Sequence, residues 1–291
     1  MRLRLTSPAL AGLLLLGLLA VGPALAQGDA KRGEYLAKAG GCLGCHTEDK
    51  KGAVPYAGGR ALKTPFGTFY GPNLTPHPQA GIGRWTEQDF IRALREGVRP
   101  DGAHYFPAFP YPSFTKIVDG DLRDIFAFLR TLPPNAQPSR QHDLKFPFGF
   151  RFLLWGWKWL FFTPGPFVAD AGRDAKVNRG AYLTNALGHC GECHTPRNFL
   201  GGPKKDRLLA GGKLPEGGSV PNLTPTRLKK WGDKDLKDFL QTGQTADGDV
   251  IAESMGEVIR NTTSQLTPPD LEALLAYLRT LPALPDEPKS K

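Results

Sequence analysis

Two pentapeptides of one pattern decide the fold of this chain, Cys42-Leu43-Gly44-Cys45-His46 and Cys190-Gly191-Glu192-Cys193-His194. Each is a C-x-x-C-H, the spacing that attaches a c-type haem through two thioether bonds and offers the histidine to the iron. All four cysteines lie in these motifs, so none is left for a disulfide. A C-x-x-C alone would also fit a redox dithiol or half of a zinc site. Two copies followed directly by histidine predict two covalent haems c, each with its motif histidine as an axial iron ligand.

The first 26 residues have the pattern of a secretory signal. Arg2 and Arg4 precede the apolar run 11–21, and Ala24-Leu25-Ala26 is a small-x-small cleavage site. The alternative is an uncleaved membrane anchor, but the run is short for a spanning helix. We therefore predict cleavage and export to the periplasm, the compartment in which bacteria attach haem c.

The bulk composition suits two haem-filled domains with many turns. The 291 residues include 35 glycines and 27 prolines, and the formal charge of +9 falls to +7 once Arg2 and Arg4 are removed. A modest positive charge suits docking to an acidic redox partner, although it also serves ordinary solubility. The chain has no basic run, so we predict no nucleic-acid partner.

The second half of the chain repeats the order of the first. Two segments of the second half correspond to segments of the first. They are Asn222-Leu223-Thr224-Pro225, which matches Asn73-Leu74-Thr75-Pro76, and Gly180-Ala181-Tyr182-Leu183, which matches Gly33-Glu34-Tyr35-Leu36. This self-similarity indicates a tandem duplication of one unit. Apolar periodicity and stop signals predict helices at 28–41, 86–97 and 119–132, with a loop at 47–83.

The order helix, haem motif, loop, helix, ligand loop, terminal helix resembles the class I cytochrome c fold. The resemblance implies an all-α protein of two tandem class I domains, in which the first and last helices of each domain cross. Gly33 and Gly180 would permit that crossing, against an aromatic residue such as Phe128 or Tyr277. The predicted segments are a signal peptide at 1–26, domain 1 at 27–134, a linker at 135–173, domain 2 at 174–285 and a polar tail at 286–291.

The linker is rich in tryptophan and phenylalanine. Its apolar run is interrupted by Arg151, Lys158 and several prolines, which argues against a spanning helix. Two interpretations stay open. The segment could pack across both haem domains and hold them together, or it could lie on a membrane surface or against a partner subunit.

The two halves differ at the second iron ligand. Electron-transfer haems commonly use methionine there. Beside Met1 the sequence has only Met255, which lies 61 residues after His194, and we predict it to be the axial ligand of haem 2. Aligned on Asp-Gly, the first half places Phe109 where Met255 stands, and phenylalanine cannot bind iron. Haem 1 is then five-coordinate or uses another ligand, for which His104 is the nearest candidate; a loop histidine bonded to a propionate or to backbone is the alternative.

The loop 101–111 and the segment 179–198 are similar to the cytochrome c subunits of membrane-bound alcohol, aldehyde and gluconate dehydrogenases. This resemblance covers essentially the whole mature chain and implies single-electron transfer in the periplasm. The partners it implies are redox proteins: a dehydrogenase subunit, a terminal oxidase or a soluble cytochrome. The chain departs from that family in having two haem motifs rather than three and Phe109 in place of a methionine. Other hypotheses are a peroxidase-like or sulfur-compound-oxidising dihaem enzyme, or a gas-binding sensor, acting at haem 1.

Overall fold

The computed structural model describes residues 28–214, 218–245, 247–251 and 254–286. The predicted leader and all of the predicted tail except Asp286 lie outside the described residues. Within the described ranges the chain is helical with a few short strands. The elements of the first half are α1 Ala30–Ala39, α2 Cys42–Cys45, β1 Ala61–Thr64, β2 Gly67–Tyr70, α3 Glu87–Glu96, α4 Tyr111–Phe114 and α5 Asp119–Thr131. The linker contributes β3 Asp143–Leu144 and α6 Leu153–Phe161. The second half contains α7 Ala175–Tyr182, α8 Gly191–His194, β4 Gly212–Lys213, β5 Ser219–Val220, α9 Pro225–Leu228, α10 Asp233–Thr242, α11 Ser254–Asn261 and α12 Pro268–Arg279.

Local sequence signals set the helix ends. Thr86 and Asp89 form a reciprocal capping box at the start of α3, and Gly97 ends it in the left-handed conformation with φ of 63°. In α1 the side chain of Asp29 accepts the N–H of Lys31 at 2.9 Å. The three helices expected in the first half therefore form close to their expected positions.

In each half the first helix packs across the last one. At Gly33 a Cβ atom would clash with the backbone of Asp124 in α5, and at Gly180 it would clash with the backbone of Ala273 in α12. Only glycine allows the helices to approach so closely. The aromatic contact expected at this crossing occurs in the second half, where Tyr277 lies beside Gly180. In the first half Gly33 meets helix backbone, and Phe128 instead packs edge-on against Tyr56 with ring centroids 5.7 Å apart.

The region expected to be a plain loop at 47–83 contains an antiparallel hairpin. β1 pairs with β2, and β3 from the linker extends the same sheet through Thr68 and Asp143. The all-α prediction is corrected to this extent. The hairpin was not predicted because its four-residue strands alternate only weakly between buried and exposed positions.

The linker contacts both halves of the chain. In α6 the indole N–H of Trp157 donates to the Leu200 carbonyl at 3.0 Å in the second half. The ammonium group of Lys158 donates to the carbonyls of Glu96 and Gly97 in the first half, at 2.7 and 2.8 Å. No helix in the described part of the chain is long and apolar enough to cross a bilayer.

Candidate functional site

The histidines of the two motifs are oriented in the same way. The Nδ1–H of His46 donates to the Pro72 carbonyl and that of His194 to the Pro221 carbonyl, each at 2.8 Å. A carbonyl can only accept, so Nδ1 carries the proton and Nε2 keeps the lone pair that a metal needs. Burial lowers the pKa of both imidazoles, against the opposing effect of these hydrogen bonds. Both rings are therefore neutral near pH 7, the form that ligates iron.

The cysteines of the motifs are positioned for covalent attachment rather than for thiol redox chemistry. They form no disulfide, and Cys42 and Cys190 pack against the apolar core. Burial raises the pKa of Cys42 and Cys190 to about 12. Reactive dithiols have a lowered pKa, so a redox dithiol does not fit. In each half, two thiols and an oriented imidazole lie within one helical turn, beside the apolar core. This arrangement fits a c-type haem in each half.

The repeated Asn-Leu-Thr-Pro segments hold the histidine-bonding carbonyls in place. The Asn73 side chain donates to the carbonyls of Asn135 and Gln137, both at 2.8 Å, and accepts the Thr75 N–H at 2.8 Å. The Asn222 side chain likewise donates to the Leu284 carbonyl and accepts the Thr224 N–H. Each asparagine thus ties the loop after its motif to the chain beyond its last helix. The repeat was visible in the sequence, but this role was not, because the partners lie about sixty residues away.

The residues at the predicted second-ligand position occupy similar environments in the two halves. Met255 lies in the first turn of α11 and Phe109 just before α4, and both side chains are half-buried against the same core. The Phe109 ring packs against Tyr105 and Phe114 at centroid distances of 5.1 and 5.7 Å. The iron-binding roles assigned to His46, His194 and Met255 stay predictions at these positions.

His104, the candidate ligand for haem 1, is held by the linker. Its Nδ1 lies 2.7 Å from the Lys158 Nζ, its ring packs on Trp155 at 4.7 Å, and its carbonyl accepts from Arg151 at 2.5 Å. Nε2 is the ring nitrogen left for a metal, and its ligation of haem 1 stays a prediction. Sequence reasoning missed these contacts, because nothing in the run of aromatic residues 152–162 indicates that Lys158 faces inward.

The two halves meet through a reciprocal pair of tyrosine–aspartate contacts. Tyr35 of the first half donates to Asp270 of the second at 2.5 Å, and Tyr182 of the second donates to Asp121 of the first at 2.6 Å. Each hydroxyl also accepts a backbone N–H at 3.3 Å from the N-cap residue of the helix that contains its aspartate partner. Tyr35 accepts from Thr267, and Tyr182 accepts from Val118. Arg32 pairs with Asp121 and Arg179 with Asp270. Equivalent arginine, tyrosine and aspartate residues of the two repeats therefore make equivalent contacts, and the tyrosine of each half bonds to the aspartate of the other half.

Replacing Tyr182 by phenylalanine is expected to lower the free energy of unfolding by about 1.5–3 kcal/mol, the usual contribution of a hydrogen bond to a charged group. The reason is that Asp121, only 2% exposed, would keep its charge and lose a donor. Tyr35→Phe should have a similar effect from the other side. Urea titration followed by circular dichroism measures the change, with Tyr70→Phe, outside the interface, as the control. Equal midpoints for Tyr182→Phe and the control would show that this contact does not stabilise the interface.

The loop behind the first motif and the second motif itself each contact a helix of the other half. Arg60, whose backbone pairs with Gly71 in the loop behind the first motif, binds Glu257 of α11 at 2.7 Å. Glu192 of the second motif accepts from Ser113 of α4 at 2.6 Å. The His189 ring, beside Cys190, packs against Phe114 with ring centroids 5.3 Å apart. The two candidate haem sites are therefore neighbours across one interface.

Known proteins resemble the chain in sequence. The family described as Cytochrome c matches residues 30–133. A diheme cytochrome c-type protein of Cereibacter sphaeroides is 46% identical over 88% of this chain and 87% of its own length. The cytochrome c subunit of a quinone alcohol dehydrogenase from Gluconobacter oxydans is 40% identical over 93% of this chain and 60% of its own. The fructose dehydrogenase cytochrome subunit of Gluconobacter japonicus is 40% identical over 87% and 52%. The chain thus spans little more than half of these two dehydrogenase subunits.

Proposed function

Because the chain belongs to the cytochrome c family, we propose that it is a periplasmic dihaem cytochrome that relays single electrons from a dehydrogenase to a downstream acceptor. One observation carries the proposal: two C-x-x-C-H turns on opposite sides of a shared interface, each with its histidine oriented by a proline carbonyl. The relatives that are subunits of dehydrogenases support the donor side. Residues 1–26, the leader of this proposal, lie outside the described residues.

Each half supplies the groups that a covalent haem needs. We assign the thioether bonds to Cys42 and Cys45 in the first half and to the equivalent cysteine pair in the second. The Nε2 atoms of His46 and His194 would bind iron, and Met255 would supply the second ligand to the iron of the second half. A bound haem supplies one-electron chemistry through its iron. The chain's own part is to keep the imidazoles neutral and oriented and to surround each site with apolar side chains.

The architecture in this proposal is two tandem class I domains, 27–134 and 174–285, joined by the aromatic linker 135–173. The helix crossings at Gly33 and Gly180 support it, as does the reciprocal interface of Tyr35 and Tyr182. That interface fixes the two sites relative to each other through buried charged hydrogen bonds. Electron tunnelling needs such a fixed separation, so the duplication serves the relay directly. The downstream acceptor would be a terminal oxidase or a soluble cytochrome.

Counting haems in cysteine variants tests this assignment. The protein secreted by cells that mature cytochromes c should carry two covalent haems per chain, measured as haem absorbance per protein after denaturation. Cys42→Ser/Cys45→Ser should carry one, and Cys190→Ser/Cys193→Ser should carry the other. The two single-haem proteins should then differ in reduction potential. Stepwise reduction of the intact protein by a quinone-type dehydrogenase tests the relay; full haem loading without any reduction by such donors or by other small redox proteins would count against it.

A second candidate function rests on Phe109. The first ligand loop has no methionine, so the iron of the first half would have an open position if the Nε2 atom of His104 does not bind it. Such a site would suit a peroxidase-like or sulfur-compound-oxidising enzyme, or a gas sensor. Rapid cyanide binding to the oxidised protein, or carbon monoxide binding to the reduced protein, would favour this class. Two low-spin haems that bind neither ligand would favour the relay alone.

A further inference from the structure

The helical segment before the second motif contains one residue more than its counterpart before the first. In the first half the N–H of Gly40 donates to the Leu36 carbonyl, four positions back, at 2.8 Å. In the second half the equivalent N–H, that of Gly188, donates to the Leu183 carbonyl, five positions back, at 2.7 Å. The extra residue is accommodated in a π turn at 183–187. Such insertions are frequent at functional sites, and this one stands directly before a haem motif.

The residue between this turn and Cys190 is His189, whose backbone is left-handed. Its φ is 38°, and Gly41, the equivalent residue of the first half, has a φ of 63°. Glycine adopts this region freely, whereas a residue with a Cβ atom is strained there. Strain of this kind persists only where the surrounding contacts compensate for it. Because the other copy of the unit has glycine, the compensation at His189 must come from its side chain.

The His189 side chain reaches across the interface to the first motif. Its Nε2 atom lies 3.8 Å from the place where a Cβ atom of Gly41 would stand, directly before that motif. Burial lowers the pKa of the imidazole, and a hydrogen bond to the Gly40 carbonyl opposes this effect. Phe114 of α4 packs edge-on against the same ring, with centroids 5.3 Å apart. His189 is therefore covalently bonded to Cys190 and in contact with the two residues that precede the first motif.

The first motif has room for this contact because its own residue at the equivalent position lacks a side chain. A Cβ atom on Gly41 would also lie 3.0 Å from the Thr262 hydroxyl oxygen, so two side chains of the second half enclose this glycine. Any larger residue at position 41 would crowd both of them. The equivalent positions of the two halves are thus complementary, with histidine in one half packed against glycine in the other.

We propose that His189 is a positioning residue that sets the spacing of the two haem sites and thereby the rate at which an electron passes between them. Electron tunnelling falls steeply with distance, so a contact between the motifs themselves has a direct effect on that rate. The tyrosine–aspartate contacts hold the helices of the two halves together, whereas His189 acts where the motifs meet. This inference rests on the proposed dihaem relay and deepens it, because it names a residue that controls the internal step.

The rate of that internal step tests the inference. A short light pulse with a photoreductant adds one electron to the secreted holoprotein, and visible absorbance follows its redistribution between the two haems. His189→Gly gives the second motif the Gly-Gly-Cys sequence of the first, so it keeps a compatible backbone and removes the ring. We expect this variant to carry two haems and to redistribute the electron severalfold more slowly. His189→Asn should also be slower, since asparagine tolerates the left-handed region but lacks the ring.

Soret circular dichroism gives a readout that does not depend on electron transfer. The coupling between two haem chromophores depends on their relative placement, so His189→Gly should change this signal. Tyr35→Phe is the matched control, because it removes a 2.5 Å hydrogen bond of the same interface on α1 rather than beside a motif. The control should lower the thermal midpoint and leave both the dichroism and the rate unchanged.

Three results would overturn the inference and leave the relay intact. The first is an equal rate and equal dichroism in the wild type and both His189 variants, each with two haems. The second is equal slowing by Tyr35→Phe, because the effect would then belong to the whole interface. The third is a slower rate with unchanged dichroism and a shifted potential, because His189 would then tune the second haem. An absence of redistribution in the wild type would instead count against the relay, and the inference would fall with it.

Discussion

Replacing Met255 by leucine is expected to lower the reduction potential of one haem by on the order of a hundred millivolts and to leave the other nearly unchanged. A thioether ligand stabilises ferrous iron, and leucine, of similar size, offers no lone pair. The side chain is half-buried against the core, where this exchange commonly costs less than about 1.5 kcal/mol, so the fold should persist. The reduced variant should also bind carbon monoxide at that haem.

A potentiometric titration followed by visible absorbance measures both potentials. Val258→Ala is the matched control: Val258 belongs to the same helix, α11, but is 39% exposed. Since Glu257 of α11 binds Arg60 behind the first motif, a small shift of the other potential is compatible with the assignment. Two unchanged potentials together with no carbon monoxide binding would make Met255 an ordinary core residue.

The sequence was sufficient to predict the features that depend on neighbouring residues. The helices follow from local caps and periodicity, as with Thr86 and Gly97 at the two ends of α3. The glycines at the helix crossings could be identified because the duplication shows each twice. Comparing the sequences of the two halves also showed that Phe109 occupies the position equivalent to Met255, and this result depends on the sequence alone.

Contacts between distant residues could not be predicted in this way. Tyr35 and Asp270 are 235 positions apart, and nothing in either local sequence specifies the other. The histidine-orienting carbonyls escaped prediction for a related reason: they are backbone atoms, so no side-chain type marks Pro72 or Pro221 for that role. The inward direction of Lys158 depends on the end of α3, whose carbonyls it caps.

Installing the missing methionine, Phe109→Met, is expected to raise the reduction potential of the first haem by on the order of a hundred millivolts. The two ligand loops align without a gap, and Phe109 and Met255 pack against one core, so a thioether at position 109 should reach the iron of its own half. Methionine is flexible enough to fill the space between Tyr105 and Phe114 that the phenyl ring now occupies. Any cyanide or carbon monoxide binding at this haem should be lost.

The matched control is Phe114→Met, which places a thioether in the same aromatic cluster but on α4, one turn beyond the ligand position. It should change stability without changing the potential. If Phe109→Met and Phe114→Met both leave the first potential unchanged, either another residue already holds the sixth position or the thioether at position 109 does not reach the iron. His104→Ala then decides between the remaining possibilities. A changed spectrum of the first haem would identify His104 as that ligand, and an unchanged one would leave His104 the partner of Lys158 alone. In the first case the two halves would differ in the second iron ligand, which would be histidine in one and methionine in the other. In the second case the iron of the first half would have an open position, which suits catalysis or ligand binding rather than electron relay.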